Sequence, residues 1–438
     1  MRKLLLTTAA TMGATVALAG GAFAQTATTP STNATVQTTA PNSFNVHLNA
    51  RINWYAGMEG SSADNQGGYK QDPYQFQGYI RVYPGFDAVA ANGLKYGASA
   101  EIRMPGHGGG TAGLSPGSTS GEETLYWRRA YGYVGTDQLG TFQFGMVDGT
   151  MDTFYVGSFE SFNDGAWNGD LPGFVPGSAV PAYPFSDVGA YYTANRVVYL
   201  SPTFSGFQFG VAFAPNTSNL WNAQCSVAGS SCNNLSASPE SSDLKRWRNL
   251  IDFGGEYTGT VGPVGLNFAA AYAASNMVDY NGAPGAPTAP TGSVYEGYSY
   301  GDFGGTITIA GFQFGGQIGY GRMNGDWSPQ PKGGVNELAF MLGTQYTTGP
   351  IVVGASYFKT KYAGGWTEGT TGVARAETDQ GIAAGATYSL VPGMAIYLSY
   401  LYGLRHQLGY NFYTGATDTP VGNNTHSEAF SVGTVLKW

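Results

Sequence analysis

Apolar and polar residues alternate one for one through most of the chain. In 427–438 (SEAFSVGTVLKW), Phe430, Val432, Thr434, Leu436 and Trp438 fall on one side. Ala429, Ser431, Gly433, Val435 and Lys437 fall on the other. A period of two over this length predicts a β-strand with two unlike faces. The rhythm begins at Phe44: Phe44, Val46, Leu48, Ala50, Ile52 and Trp54 alternate with Asn45, His47, Asn49, Arg51 and Asn53. It returns at 75–82 and 94–103. Hairpins follow at 124–135 with 140–147, 196–201 with 207–213, 250–257 with 264–272, 303–309 with 312–320, 337–346 with 351–358, and 378–389 with 394–402. With the closing strand this predicts about sixteen strands. Short Gly/Pro turns alternate with long polar connections, and no segment carries a helical period.

An open sheet of this length would leave its aromatic last strand as an unpaired edge, which invites aggregation. Pairing the last strand with the first closes a barrel and removes the edge. A propeller would repeat a signature every 40–50 residues or so, and none is found. At about sixteen strands the interior is too wide for side chains to fill. The polar face must then line water and the apolar face must meet lipid. Closure also pairs every backbone N–H and C=O, which lipid demands. The expected fold is all-β, a transmembrane antiparallel barrel. Aromatics near strand ends (Trp54, Tyr83, Trp127, Tyr199, Tyr257, Tyr346, Tyr388 and Trp438) suit its interfacial girdles.

Composition agrees. Charged residues are 11%, against roughly 25% in ordinary soluble domains. Aromatics reach 14%, and 67 of 438 residues are Gly. Beyond the N-terminus no run approaches the roughly 18 apolar residues of a membrane helix. The net charge of −8 disfavours a nucleic-acid partner, which needs basic surface. Residues 1–24 read as a secretory signal: Arg2 and Lys3, an apolar middle, and Ala22-Phe23-Ala24 before the cut. Residues 25–43 are a Thr/Ser/Ala/Pro-rich lead-in, and 44–438 form one barrel domain. In an exported chain Cys225 and Cys232 are expected to form a disulfide. The alternative, free thiols or a metal pair, lacks further ligands because the four His are scattered.

The stretch 148–189, the third long connection, is rich in aromatics, Pro and acids. Connections this long are usually functional. Folded into the lumen, its Asp148, Asp152, Glu160, Asp164 and Asp170 would face Arg51, Arg81, Arg103 and Arg128 or Arg129 on the wall. One of Arg128 and Arg129 must face the lumen and the other lipid or the rim, by strand parity, and the sequence does not decide which. Such a constriction selects solutes by charge. The competing reading is that these Arg residues pair with acids for stability. Asp164 and Asp170 are a candidate Ca²⁺ pair. The Gly-rich run 106–110 has no following helix and reads as a plain loop. No nucleophile elbow and no HExxH motif occurs, so an enzyme is not expected.

The chain resembles the Gram-negative porin family, alphaproteobacterial type. The matching stretches are 128–135 (RRAYGYVG), 139–145 (LGTFQFG), the acidic third connection, 195–202 (NRVVYLSP) with Gly206-Phe207, and the aromatic-terminated last strand. The resemblance implies a homotrimer in the outer membrane of a Gram-negative bacterium, with the third loop as eyelet and with lipid and lipopolysaccharide as neighbours. It also implies a last strand (Phe430, Leu436, Trp438) read by the barrel-assembly machinery. The connections at 215–248 and 275–298 are longer than the family's pattern. The expected function is passive diffusion of small hydrophilic solutes, with modest cation preference from the acidic loop. A sugar- or anion-specific channel is the alternative, and a plugged adhesive barrel a third reading.

Overall fold

The computed structural model describes residues 42–66, 70–104, 125–155, 161–169, 171–185, 193–216, 246–277, 280–281, 291–292, 295–325, 327–365 and 375–438. Sixteen antiparallel strands close into one barrel. They are β1 Ser43–Ser61, β2 Tyr74–Val89, β3 Lys95–Arg103, β4 Tyr126–Thr136, β5 Gly140–Asp148, β6 Thr193–Leu200, β7 Phe207–Asn216 and β8 Trp247–Val261. The second half comprises β9 Val264–Met277, β10 Ser299–Ile309, β11 Phe312–Arg322, β12 Glu337–Thr348, β13 Ile351–Tyr362, β14 Glu377–Val391, β15 Met394–His406 and β16 Asn424–Lys437. The predicted leader, both cysteines, the Gly-rich run 106–110, Glu160 and Asp170 lie outside the described residues.

Short turns leave one rim and long connections the other. At the β10–β11 turn, Ala310 and Gly311 both take positive φ, 49° and 83°, the left-handed pair that a tight two-residue hairpin requires. The seam joins β1 to β16 from Arg51 opposite Lys437 to Ser61 opposite Ser427. Ala50 and Trp438 then exchange backbone hydrogen bonds, at 3.0 and 3.1 Å.

The two faces differ as the alternation requires. On β7, Phe207, Phe209, Val211 and Phe213 are exposed, while Gly210, Ala212 and Ala214 between them are buried. Similar apolar rows cover the outer face, far more than a water-soluble surface tolerates. Aromatics meet along the short-turn rim: Phe142 with Tyr199, Phe207 with Tyr257, and Phe312 with Tyr346 at 4.4 Å between centroids. Tyr83 does not join them. It shares strand parity with Arg81 and lies among Arg51, Arg81, Glu101 and Arg103 on the inner face.

The connection after β5 holds a short helix, Thr150–Thr153, and 3₁₀ turns at Ala166–Asn168, Leu171–Phe174 and Gly177–Ala179. Its Phe162, Trp167, Leu171, Phe174 and Tyr183 are buried against Tyr55, Tyr79, Met341, Phe358 and Leu401 of the wall. Glycines on the wall make the room. A Cβ on Gly57 would sit 2.8 Å from the Phe174 ring, and one on Gly381 2.6 Å from Trp167 Nε1.

Candidate functional site

A row of cations crosses the inner face near the seam. The register sets Lys437 opposite Arg51, Arg51 opposite Arg81, and Arg81 opposite Arg103. Like charges directly opposite on one sheet face repel, so the row needs acids and aromatic faces around it. Tyr79 supplies one: Arg51 Cζ lies 5.1 Å and Arg81 Cζ 4.6 Å from its ring centroid. Each such cation–π contact contributes roughly 0.5–2 kcal/mol.

Asp164, from the connection after β5, supplies the charge. Its carboxylate accepts hydrogen bonds from Arg51 Nη2 (2.6 Å), Asn53 Nδ2 (2.8 Å), Tyr79 Oη (2.9 Å) and Tyr55 Oη. Burial alone would raise its pKa. The Arg51 guanidinium and the Tyr55 hydroxyl outweigh that and hold it below the usual carboxylate range. This shell is made of donors, which suit an anion and repel a metal ion. Asp164 offers a Ca²⁺ ion no ligand set within this shell; Asp170, the other half of the candidate pair, lies outside the described residues, and no metal-binding group of three acids, His or Cys occurs among the described residues.

Next along the wall, Glu101 is buried among three arginines. It accepts from Arg103 Nε, from Arg128 Nη1 at 3.0 Å and from Arg129 Nη2 at 2.5 Å. Asp148, the last residue of β5, takes Arg129 Nη1 at 2.5 Å and lies 3.4 Å from Arg128 Nη2. Strict parity would have turned one of Arg128 and Arg129 outward, as expected from the sequence. The structure corrects this. The β3–β4 register shifts between Glu101 and Ile102: Glu101 faces Arg129 and Ile102 faces Trp127. Arg128 is the extra residue of a β-bulge, which re-aims a side chain, and both guanidiniums are buried on the inner face.

The connection is pinned around the barrel. Thr150 N–H and Oγ1 donate to Asp252 Oδ1 on β8, both at 2.5 Å, and Asp252 lies 3.5 Å from Arg196 Nη1 on β6. Ser161 donates to Gln345 on β12 (2.6 Å), and Trp167 Nε1–H to the Ile382 carbonyl on β14 (3.0 Å). Ala182 N–H donates to Asp379 on β14 (2.7 Å), and Arg405 on β15 to the Ser178 carbonyl (3.1 Å). Of the residues expected here, Arg51, Arg81, Arg103, Arg128, Arg129, Asp148 and Asp164 fall in one charged stretch. Asp152 sits apart in the Thr150–Thr153 helix. Sequence reasoning did not single out Glu101, Arg196, Asp252, Lys437 or Arg405. Parity marked Glu101 and Lys437 as inner-face charges; Glu101 meets its arginines on its own strand and on β4, and Lys437 faces Arg51 across the seam.

A closed barrel with an apolar outer face and a charged, water-suited inner one is the architecture of an outer-membrane channel. The sequence matches the Gram-negative porins over residues 7–407. The chain belongs to the Gram-negative porin family. This porin is thus an outer-membrane channel rather than an enzyme. No curated protein sequence matches it. Its fold is similar to OmpT of Vibrio cholerae in its trimer form, at 15% identity and TM-score 0.53, covering 91% of this chain and 100% of that one. An anion-selective porin from Comamonas acidovorans aligns at 14% identity and TM-score 0.54, covering 90% and 100%. OmpF of Salmonella typhi, in complex with daunomycin, aligns at 13% and 0.54, covering 90% and 97%.

Proposed function

We propose that residues 148–155, 161–169 and 171–185 of this porin lie inside the bore as an eyelet, and that the opening they leave passes small hydrophilic solutes with a preference for anions. The observation that carries this is the balance of charge near the seam. Lys437, Arg51, Arg81, Arg103, Arg128, Arg129 and Arg196 lie on one stretch of inner face, where Glu101, Asp148, Asp164 and Asp252 are, among the described residues, acids bonded to or facing them. Among the described residues of that stretch, seven cations stand with four acids. A cation preference had been expected from the acids of the third connection, but Asp148 and Asp164 are engaged by arginines. Charge rings at a constriction set ion selectivity. The test is the zero-current potential in a tenfold KCl gradient. The wild-type porin gives the sign of an anion-preferring pore, and R81Q with K437Q moves it toward zero. A cation-preferring wild type overturns the assignment.

The Arg51–Tyr79–Arg81 stack favours a second reading, a route specific for carboxylates. Conductance that saturates with a small dicarboxylate, and loses saturation in Tyr79→Ala, would support it. Strictly ohmic behaviour would exclude it.

The other expectations stand as proposals. The motifs at 128–135 and 195–202 support the alphaproteobacterial branch, and residues 1–24 are cut from the mature chain. Cys225 and Cys232 pair. Phe430 and Leu436, on the exposed face of β16, and the exposed Trp438 just beyond it are read by the assembly machinery. The porin is a homotrimer, which light scattering in detergent tests by mass.

A further inference from the structure

Glu101, Asp148, Asp164 and Asp252 each meet an arginine on the inner face. Asp302 on β10 does not. It shares strand parity with Tyr300 and Thr306, both buried on that face. Among the described residues no arginine, lysine or histidine pairs with it. Its side-chain partner is an amide: Gln317 Nε2 on β11 donates to Asp302 Oδ2 at 2.6 Å. A neutral donor leaves the negative charge uncompensated, and a carboxylate drawn out of bulk water is costly without an opposite charge. It also leaves acceptor room, because an ionised carboxylate has about four lone-pair sites.

Two neighbouring oxygens lack partners as well. Gln317 is 5% exposed and Tyr300 1%, yet Gln317 Oε1 and Tyr300 Oη make no hydrogen bond among the described residues. Buried polar atoms are rarely left so. Tyr300 is held in place. Its ring meets Trp327 edge-on at 5.9 Å, and its hydroxyl lies over Gly319, where a Cβ would collide with it. Gly319 is directly opposite Asp302. The carboxylates of Asp302 and of Glu337 on β12 both lie near enough to act on that hydroxyl. Asp302 itself is half-exposed. Its neighbours across the ladder are Ala271 and Gly319, which leave the carboxylate uncrowded.

We infer that Asp302, Gln317 and Tyr300 form a subsite on the β10–β11 wall for the primary ammonium group of a small organic cation. A primary ammonium carries three N–H donors and no acceptor, and the niche offers three kinds of acceptor, one of them charged. The group arrives from the bore at half-exposed Asp302 and takes the amide and phenol oxygens behind it. A water molecule would serve those two oxygens but leave the charge unanswered. Mg²⁺ and Ca²⁺ call for six or more oxygen ligands, which this niche does not supply. The inference goes beyond the anion preference and depends on neither that preference nor the eyelet.

Saturation-transfer NMR of the porin in a non-ionic detergent tests it, with methylammonium and tetramethylammonium as probes. The second has the same charge and no N–H donor. Wild type transfers saturation to methylammonium at least about fivefold more strongly. D302N loses that difference. Y300F, which removes one oxygen and keeps the ring against Trp327, weakens it at least about twofold. D137N, at an exposed acid of the β4–β5 turn, keeps it. Equal transfer to both probes by wild type, or an unchanged difference in D302N or Y300F, overturns the inference. So does full displacement of methylammonium by equimolar KCl, which would assign the niche to an inorganic cation. The zero-current potential tests the anion preference separately.

Discussion

Asp164 Oδ1 accepts a hydrogen bond from Arg51 Nη2 at 2.6 Å, joining positions 113 residues apart. Both side chains are buried. Breaking a buried pair from one side costs about 3–5 kcal/mol, because the remaining charge is uncompensated. In Asp164→Asn the 148–185 segment should loosen from β1 and β2. Limited proteolysis should cut it at least about tenfold faster, while the far-ultraviolet spectrum stays that of the barrel. An unchanged cleavage rate would show that this contact does not hold the segment.

The same pair sets an acid limit. The folded-state pKa of Asp164 is lowered, so its contribution is fully present above the ordinary carboxylate value, about 3.9. It is lost as pH falls from there through the lowered value. Single-channel current should stay quiet above the ordinary carboxylate value and turn noisy only in more acid solution, as Asp164 takes up its proton. Asp164→Asn should be noisy at every pH. An Asp164→Asn current as quiet as wild type at neutral pH would refute this.

Glu101 is 1% exposed and binds Arg103, Arg128 and Arg129 together. Glu101→Gln keeps the shape and leaves three guanidiniums to repel one another. Barrel stability should fall by about 3–5 kcal/mol, read as an earlier midpoint in urea-driven unfolding from vesicles. Glu101→Gln with Arg128→Gln should recover part of the loss, because one of the crowded guanidinium charges leaves with the acid. No recovery would mean that Arg128 and Glu101 are not coupled.

Trp167 fills the space left by Gly381 and Gly403 and meets Phe358 edge-on at 6.2 Å. Trp167→Ala should cost about 3–5 kcal/mol, confined to the segment. Gly381→Val should act alike by displacing the indole. Hydrogen exchange would rise across 161–185 in both variants and stay unchanged in β14. Faster exchange throughout the barrel would mean that the indole supports the wall instead.

Alternation located all sixteen strands because each buries one face and shows the other to lipid, so a single period runs through them. It also sorted Arg51, Arg81 and Arg103 correctly. It failed at Arg128 and Arg129, where one extra residue breaks the parity on which the argument depends. Tyr83 was assigned to a girdle from its place near a strand end, although its parity matched that of Arg81. The acids of the third connection were expected to oppose the arginines across water. Asp164 instead reaches the arginine side and bonds Arg51, a partner that no local pattern encodes. Arg196 with Asp252 and Arg405 with Glu377 were unreadable for the same reason.

Ala50 and Trp438 bond reciprocally across the seam, so the strand made first waits for the strand made last. Pairing at such separation carries a large loop-closure entropy and slows folding. Until residue 424 and those after it emerge, the edge of β1 stays open while hydrophobic rows meant for lipid face water. Barrel closure therefore cannot keep pace with synthesis, and the nascent chain needs shielding until its two ends meet.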